Sequence, residues 1–361
     1  MPQSDFTTRK AQLRHFGATQ KLGSKITLST IADDLGISTA TVSLALRDSP
    51  LVAEATKETV RVRAKEIGYI YDRRAASLRT QRSDIVGVIV RDIINPFFAE
   101  ILRSIEAELG AKRQTFLLCN HSDDIELQTE FISTLMQFGA DGVIMSPSIG
   151  TTAEDIDLIE KNGLPVTLVA RTVEGTGVPA YLGDDIAGFK LVTSHLIENG
   201  HTDIALIGGT RKTSTGRARR EGFAAAFKGA GIPMPKRKDI ETPYDRTAGY
   251  NAVAEILDSG KAPSAIACCS DTVAIGVMHG LRKHGLEPGI DVAVTGYDDI
   301  EEASISFPPL TTVNDGHDEM GRQAARTLFS KIRKEDHANG DTLIAPTLKI
   351  RASVRPINET S

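Results

Sequence analysis

The sequence predicts an all-α helix-turn-helix head joined to an α/β body of two lobes, and three observations predict it. From Ile26 to Tyr69 the apolar residues recur at helical spacing in short, compact runs. From Ile85 onward, short apolar runs rich in β-branched residues alternate with helical stretches. Charge divides the chain at the same place. Residues 1–83 hold 14 Lys and Arg against 8 Asp and Glu, and the remainder holds 28 against 39, within a formal net charge of −5. A basic head on an acidic body points to a polyanionic partner for the head, or else to a solvated basic helix surface. At 361 residues the chain is long enough for two or three domains.

The head is read from "TLSTIADDLGISTATVSLAL". A first helix spans about Ser29 to Leu35, and Gly36 ends it in a left-handed turn. Ile37 plugs the corner and Ser38 is a good N-cap for a second helix. Val42, Ala45 and Leu46 share the inner face of that helix, opposite Ile31, Ala32 and Leu35. The helix wheel places Leu44 on the outer side, beside Ala40, Ser43 and Arg47. Such a face suits the major groove of DNA: hydroxyls reach phosphates and base edges, and Leu44 can touch a thymine methyl. The alternative is that Leu44 packs on a neighbouring helix or a second copy. A third helix, about Ala53 to Ile67, has the apolar stripe Ala53, Val60, Ala64 and Ile67. Its charged face, with Lys57, Arg61, Arg63 and Lys65, is either solvated or borders phosphate. "RRAASLRT" (73–80) is a short polar-basic connector.

The body strands are expected at "IVGVIV" (85–90), "TFLLC" (115–119), "DGVIM" (141–145), "PVTLV" (165–169), "DIALIGG" (203–209), "SAIACC" (264–269) and "DVAVTGY" (291–297). Fully apolar strands between helices signal parallel sheets covered on both faces. They form two runs, before and after roughly residue 180, hence two lobes, with a ligand at the strand C-termini between them.

Several function classes find no support. No run of about 18 apolar residues would span a membrane, and the first 24 residues lack the apolar core of a secretory signal. The cysteines Cys119, Cys268 and Cys269 form no C-x-x-C, so they read as buried thiols of a reducing cytoplasm. "GGTRKTSTGR" (208–217) sits at a strand end but lacks the glycine before Lys212 that a phosphate loop needs. No serine-hydrolase or zinc-protease motif appears, and His121, His195 and His201 are scattered. Neither catalytic residues, metal nor cofactor is expected.

At this point the chain resembles the LacI family of bacterial transcription regulators. The matching head residues are Thr27, Gly36-Ile37-Ser38, Thr41-Val42-Ser43, Gly68-Tyr69 and Ala75/Ala76-Ser77-Leu78-Arg79. The body continues with "NPFFAEIL" (95–102), "DGVIM" (141–145), "HLIENGHTDIALIGG" (195–209), "RREGF" (219–223), "VTGYDDI" (294–300) and "PPLTTV" (308–313). "SLAL" and "GVIVRD" are most similar to the subgroup around the maltose-regulon repressors. The resemblance covers residues 26 to about 356. It implies a helix-turn-helix tethered to a periplasmic-binding-protein-like (type I) sensor. The expected division is an extension over 1–25, a DNA-binding head over 26–72, a hinge over 73–83 and a ligand-sensing, dimerising body over 84–361.

The family's hinge becomes helical on operator DNA, a coupled folding step. Leu78 matches the leucine that wedges into the minor groove and kinks it. Arg73, Arg74 and Arg79 then meet phosphate, and Ala76 lies within the hinge. Without the family, Leu78 would be a linker residue packing on the body. The DNA-contact set is completed by Thr27, Ser38, Thr39, Ala40, Thr41, Ser43, Leu44 and Tyr69. Many members carry a guanine-reading arginine where this chain has Leu44, so a different operator preference follows. Residues 1–25 are open to three readings: a disordered arm, an arm adding phosphate contacts through Arg9, Lys10, Arg14 and Lys21, or a misassigned start.

In the sensor, Arg219 matches the arginine that holds effector hydroxyls or carboxylate, against the alternative of a surface ion pair with Glu221. Asp298 matches an acidic cleft residue, and Ser270 stands before Asp271 where a cleft Asn is frequent. Ala170 stands where several members have an Asp. Asn95, Asn120 and Ser146 fall at strand ends facing the cleft. Phe97 and Phe98 could stack on a ring, although taken alone they read as core. The expectation is a cytoplasmic repressor that binds a pseudopalindromic operator as a homodimer and answers to a carbohydrate-like effector. Ser361 follows the last strand without a leucine heptad, which favours dimer over tetramer. The rivals are a transport sugar-binding protein and an enzyme on the same lobes. Specific duplex binding separates both from a regulator.

Overall fold

The computed structural model describes residues 26–70, 82–237, 239–258 and 260–357. The chain divides into two compact units, Met1–Arg79 and Thr80–Ser361.

In the first unit, α1 (Leu28–Leu35) begins where the Thr27 backbone N–H donates to Thr30 Oγ1 at 3.3 Å. It ends at Gly36, whose φ of +64° disfavours any residue with a Cβ. Ser38 caps α2 (Thr39–Leu46), its Oγ accepting from the Thr41 N–H at 3.1 Å. The third helix, α3 (Glu54–Glu66), is one residue shorter at each end than expected. Ala53 is its exposed N-cap rather than part of the stripe, and the Lys57 stem is buried in its place. Ile31, Ala32, Val42, Ala45, Val60 and Ala64 form the core of this unit.

In the second unit the first sheet comprises β1 (Ile85–Val90), β2 (Thr115–Asn120), β3 (Gly142–Met145), β4 (Val166–Val169), β5 (Ala180–Gly183) and, late in the chain, Asp341–Ile344. Its order is 341–344, β5, β4, β3, β1, β2, and every pairing is parallel, with Val88 opposite both Leu118 and Ile144. The second sheet comprises β6 (Ile204–Ile207), β7 (Asp239–Ile240), β8 (Ala265–Cys268) and β9 (Ala293–Thr295), in the parallel order β7-β6-β8-β9. β10 (Thr312–Asn314) pairs antiparallel with Thr347–Lys349. We number 341–344 β11 and 347–349 β12.

The helices that cover these sheets are α4 (Pro96–Ala111), α5 (Ile125–Gln137), α6 (Ala153–Lys161), α7 (Asp185–Glu198), α8 (Ser214–Ala230), α9 (Arg246–Leu257), α10 (Asp271–Lys283), α11 (Glu301–Ile305) and α12 (His317–Arg333). All seven expected strands exist: β1 keeps its expected bounds, β2 runs one residue further to Asn120, and the other five are trimmed at their ends. The edge strand β2 is half-exposed rather than fully covered.

Two corrections concern topology. Five strands, β5, β7, β10, β11 and β12, escape the sequence reading because they lack the apolar runs that mark the equally short β3, β4, β6, β8 and β9. The lobes also do not divide once near residue 180. After β10 the chain returns: α12 packs on β3, β4, β5 and α4, β11 joins β5 at the edge, and β12 crosses back to β10. Gly142 makes the return possible, since Leu328 Cδ1 of α12 stands 2.8 Å from where its Cβ would lie.

Candidate nucleic-acid interface and ligand cavity

Helix α2 presents Ser38, Thr39 and Ala40 to solvent, with Thr41 half-buried. Ser43 corrects the helix-wheel expectation: it is 4% exposed, and its Oγ has no hydrogen-bond partner. At about 100° from Val42 it lies on the shoulder of the buried stripe. Leu44 is half-buried, neither core nor fully outward. Thr27 is exposed at the start of α1, whereas Tyr69 packs against the head core. The hinge residues Arg73, Arg74, Ala76, Leu78 and Arg79, and the arm cations Arg9, Lys10, Arg14 and Lys21, lie outside the described residues.

The charge of the three-helix unit also differs from a basic surface. Lys57 Nζ binds Glu54 at 3.1 Å and Asp48 at 3.2 Å. Arg61 binds Asp48 at 2.7 Å, and Arg63 binds Asp34 at 2.6 Å and Glu66 at 3.1 Å. Residues 26–70 hold five Lys and Arg against six Asp and Glu. The basic surplus of the head therefore belongs to the segments on either side, 1–25 and 71–83.

In the second unit a cavity of about 460 Å³, open solvent at its mouth included, lies at the C-terminal ends of the parallel strands. Sheet 1 places Arg91 after β1, Ala170 and Arg171 after β4, and Gly183 at the end of β5. Asn95 lines it while capping α4, its Oδ1 accepting from the Phe97 N–H at 3.1 Å, and this sets Phe97 and Phe98 in the first turn. Both rings are buried and also line the cavity, so the core and cleft readings meet in the same side chains.

From the other lobe come Asp185, Thr215, Arg219, Tyr244 and Asp298. Arg219 is 5% exposed, not a surface partner of Glu221. Its Nε donates to Asp185 at 2.8 Å, its Nη1 donates to the Cys269 carbonyl, and its guanidinium lies 4.0 Å from the Tyr297 ring centre. Burial opposes its charge, but Asp185, Tyr244 and Asp298 outweigh that and hold it firmly protonated. Asp298 lies 3.7 Å from Arg219. It sits at a φ of +113°, pinned there by its own N–H donating to the Val313 carbonyl at 2.8 Å. Burial, reinforced by Asp315 and Asp271 and opposed by Arg219, pushes its carboxyl well above the usual range. Asp315 completes this wall and bonds His317 Nδ1 at 3.2 Å, while His317 Nε2 meets Glu100 at 2.9 Å. Burial opposes the imidazolium, yet the two carboxylates raise the His317 pKa to about 9.

Four expected residues do not line this cavity. Asn120 braces the loop after β1, accepting from the Ile93 N–H at 2.7 Å. Ser146 is fully buried and its carbonyl receives His121 Nε2 at 2.9 Å. Ser270 caps α10. Asp271 is consumed by the Ile300 N–H at 2.9 Å and the Thr312 hydroxyl at 2.5 Å. Each stands at a strand end, but the side chain turns into the loop packing. Conversely, Arg91, Arg171, Asp185, Tyr244 and Asp315 were missed. Arg91 and Arg171 follow the apolar runs "IVGVIV" and "VTLVA" directly, so the strand-end rule that found Asn95 would have found them. Among the described residues no cluster suits a metal ion, and no helix is long and apolar enough to cross a membrane.

The family described as "Periplasmic binding proteins and sugar binding domain of LacI family" matches residues 83–352, and "Bacterial regulatory proteins, lacI family" matches residues 27–72. The Escherichia coli (strain K12) ribose operon repressor is 30% identical over 328 residues, spanning 91% of this chain and 99% of its own. The HTH-type transcriptional repressor PurR of Glaesserella parasuis is 28% identical over 339 residues, spanning 92% and 99%. Among solved structures, a lac repressor dimer bound to operator and the anti-inducer ONPF superimposes with a TM-score of 0.82 at 23% identity, covering 92% of this chain and 100% of that one. A complex of the regulator CelR with cellobiose gives 0.69 at 28% identity, covering 91% and 100%. An Enterococcus faecium regulator with bound ribose gives 0.68 at 29%, covering 76% and 99%. These matches do not carry the maltose-regulon subgroup suggested by "SLAL" and "GVIVRD".

Proposed function

This chain belongs to the LacI family of bacterial regulatory proteins, a DNA-binding transcription regulator under small-molecule control, and we propose that it represses its target genes as a homodimer whose operator affinity is set by a sugar or sugar derivative bound between the lobes. The observation behind the ligand half is the cavity itself. Arg219 and Asp298 from one lobe face Asn95 and Phe97 from the other, so a ligand held there bridges both. A ligand that favours one lobe arrangement shifts the population of that arrangement. In the proposal that shift changes the separation of two hinges, and so the fit of two heads to a pseudopalindrome.

For the DNA half, we assign groove and phosphate contacts to Thr27, Ser38, Thr39, Ala40, Thr41 and Leu44, and the hinge contacts to Arg73, Arg74, Ala76, Leu78 and Arg79. Ser43, buried on α2, supports the head's packing, and Tyr69, half-buried, stays among the assigned DNA contacts. The boundaries 26–72, 73–83 and 84–361 stand as proposed functional divisions. No catalytic step is assigned, and the site of action is the cytoplasm, where the chromosome lies.

The test is enrichment of the source genome's fragments on the purified full chain at low and moderate salt. A short pseudopalindrome that persists at moderate salt supports the reading. Binding spread over all fragments and lost with salt overturns it. Light scattering checks the dimer, and a monomeric or tetrameric mass removes that part.

A further inference from the structure

Two guanidinium groups on one wall of the cavity share a single carboxylate. Arg91 Nε donates to Asp123 Oδ2 at 2.9 Å. Arg171 Nη1 donates to Asp123 Oδ1 at 2.5 Å and to the Pro147 carbonyl at 3.1 Å. Burial works to raise the Asp123 carboxyl, but Arg171 and Arg91 outweigh it and keep it below the ordinary range, so it is ionised. The trio carries one net positive charge, offset only by the longer pair of Arg91 with Asp92 at 3.7 Å, in a mostly buried place: the side chains of Arg91 and Arg171 are 14% and 7% exposed.

Arg91 Nη1 is buried and makes no hydrogen bond, its nearest carboxylate being Asp92 at 3.7 Å. Arg91 also lies over the Tyr244 ring, 5.7 Å from its centre. Ala170, beside Arg171 on this wall, offers only a methyl group to the cavity. At the inner end Arg219 has Asp185 to itself at 2.8 Å, with Asp298 at 3.7 Å, whereas Arg91 and Arg171 share Asp123.

The cavity also does not end at this wall. Two solvent-open clefts of about 1020 and 850 Å³ adjoin it, and Arg171 lines all three spaces. Lys212 and Arg217 border the larger cleft, together with Glu154 and Glu174 at its rim. Neither Lys212 nor Arg217 forms a salt bridge among the described residues. A buried N–H without a hydrogen bond costs free energy until a partner arrives. A neutral hydroxyl would accept that hydrogen bond, whereas an anion would also meet the charge of two guanidinium groups that share Asp123 at short range.

We propose that the effector is an anionic sugar derivative, whose hydroxyls meet the Arg219–Asp298 end and whose carboxylate or phosphate lies against Arg91 and Arg171. This rests on the ligand-controlled reading of the same cavity. The test is titration calorimetry of the full chain with glucose, glucuronate and glucose 6-phosphate, and with ribose and ribose 5-phosphate. At least one anionic member should bind tenfold or more tighter than its neutral parent. Arg91→Gln should abolish that gain and Arg91→Lys should keep most of it. A gain for glucuronate alone identifies a carboxylate, and a gain for the phosphates identifies a phosphate. Should Arg91→Gln fail to fold, the wild-type gain must still shrink as salt rises while neutral-sugar affinity holds. Neutral parents binding as tightly, no binding by any anionic member, or a gain that survives Arg91→Gln overturns the inference. A neutral sugar that releases the protein from its operator would leave the regulatory reading standing and sink this one alone.

Discussion

At the scale of single residues, the side chains with most to say are those whose surroundings contradict their usual behaviour. His317 is buried between Asp315 and Glu100, with Phe97 edge-on to its ring at 5.9 Å. Its pKa, raised to about 9 from an unfolded value of 6.5, means that its contribution to stability is fully present below about pH 6.5 and lost as pH climbs through 9. The shift corresponds to about 3 kcal/mol. The unfolding free energy of the wild type should therefore exceed that of His317→Gln by about 3 kcal/mol more at pH 6 than at pH 9.5. Chemical denaturation at the two pH values measures this, and an unchanged gap would show that the cluster does not hold an imidazolium. Leu44 makes the second case. Half-buried on α2, it keeps an apolar edge beside the exposed Ala40. Leu44→Arg should change the preferred base at one position of each half-site, by about 1–3 kcal/mol of discrimination. Binding-site selection returning one consensus for both proteins would refute the groove contact.

At the scale of elements, glycines set how closely the helices pair. A Cβ on Gly276 of α10 would lie 2.0 Å from the Arg246 carbonyl, and one on Gly222 of α8 would lie 2.4 Å from the Ile186 carbonyl. Backbone stands against backbone at both places, so no side chain can move aside. Gly276→Ala should cost about 3 kcal/mol or more in urea denaturation, as forced separation of packed elements does. Gly229→Ala is the control. It lies on an exposed stretch of α8 with only the flexible Lys190 side chain nearby, at 3.9 Å. It should be neutral or stabilising by up to about 1 kcal/mol, because alanine gives up less chain entropy in a helix. Equal effects of the two substitutions would mean that α9 and α10 are not in backbone contact.

At the scale of the whole molecule, charge is distributed by segment rather than by unit. The described part of the head, residues 26–70, has one more acid than base, and three of its five cations, Lys57, Arg61 and Arg63, are engaged with its own carboxylates. Residues 1–25 hold five Lys and Arg against one Asp. If those five meet phosphate in each subunit, deleting residues 2–25 should lower DNA affinity and flatten the slope of log affinity against log salt by about 4.5 per subunit, about nine for the dimer. A slope that does not change would show that this segment stays off the DNA and that phosphate neutralisation lies elsewhere.

The sequence by itself determined the helix-turn-helix, the seven apolar strands and the family. These rest on local signals: Gly36 at a left-handed turn, Ser38 as a cap, and runs such as "IVGVIV" that only a covered parallel strand tolerates. It also singled out Arg219 and Asp298. Only the tertiary structure decided which strand-end side chains reach the cavity and which turn into loop packing, because Asn95 and Asn120 are the same residue type in the same kind of place. Only it returned α12 and β11 to the first lobe, a pairing between segments more than a hundred residues apart that no local period records. The sharing of Asp123 by Arg91 and Arg171 emerged only there as well. Net charge is additive along a chain, but its cost depends on burial and on how many guanidinium groups must share Asp123.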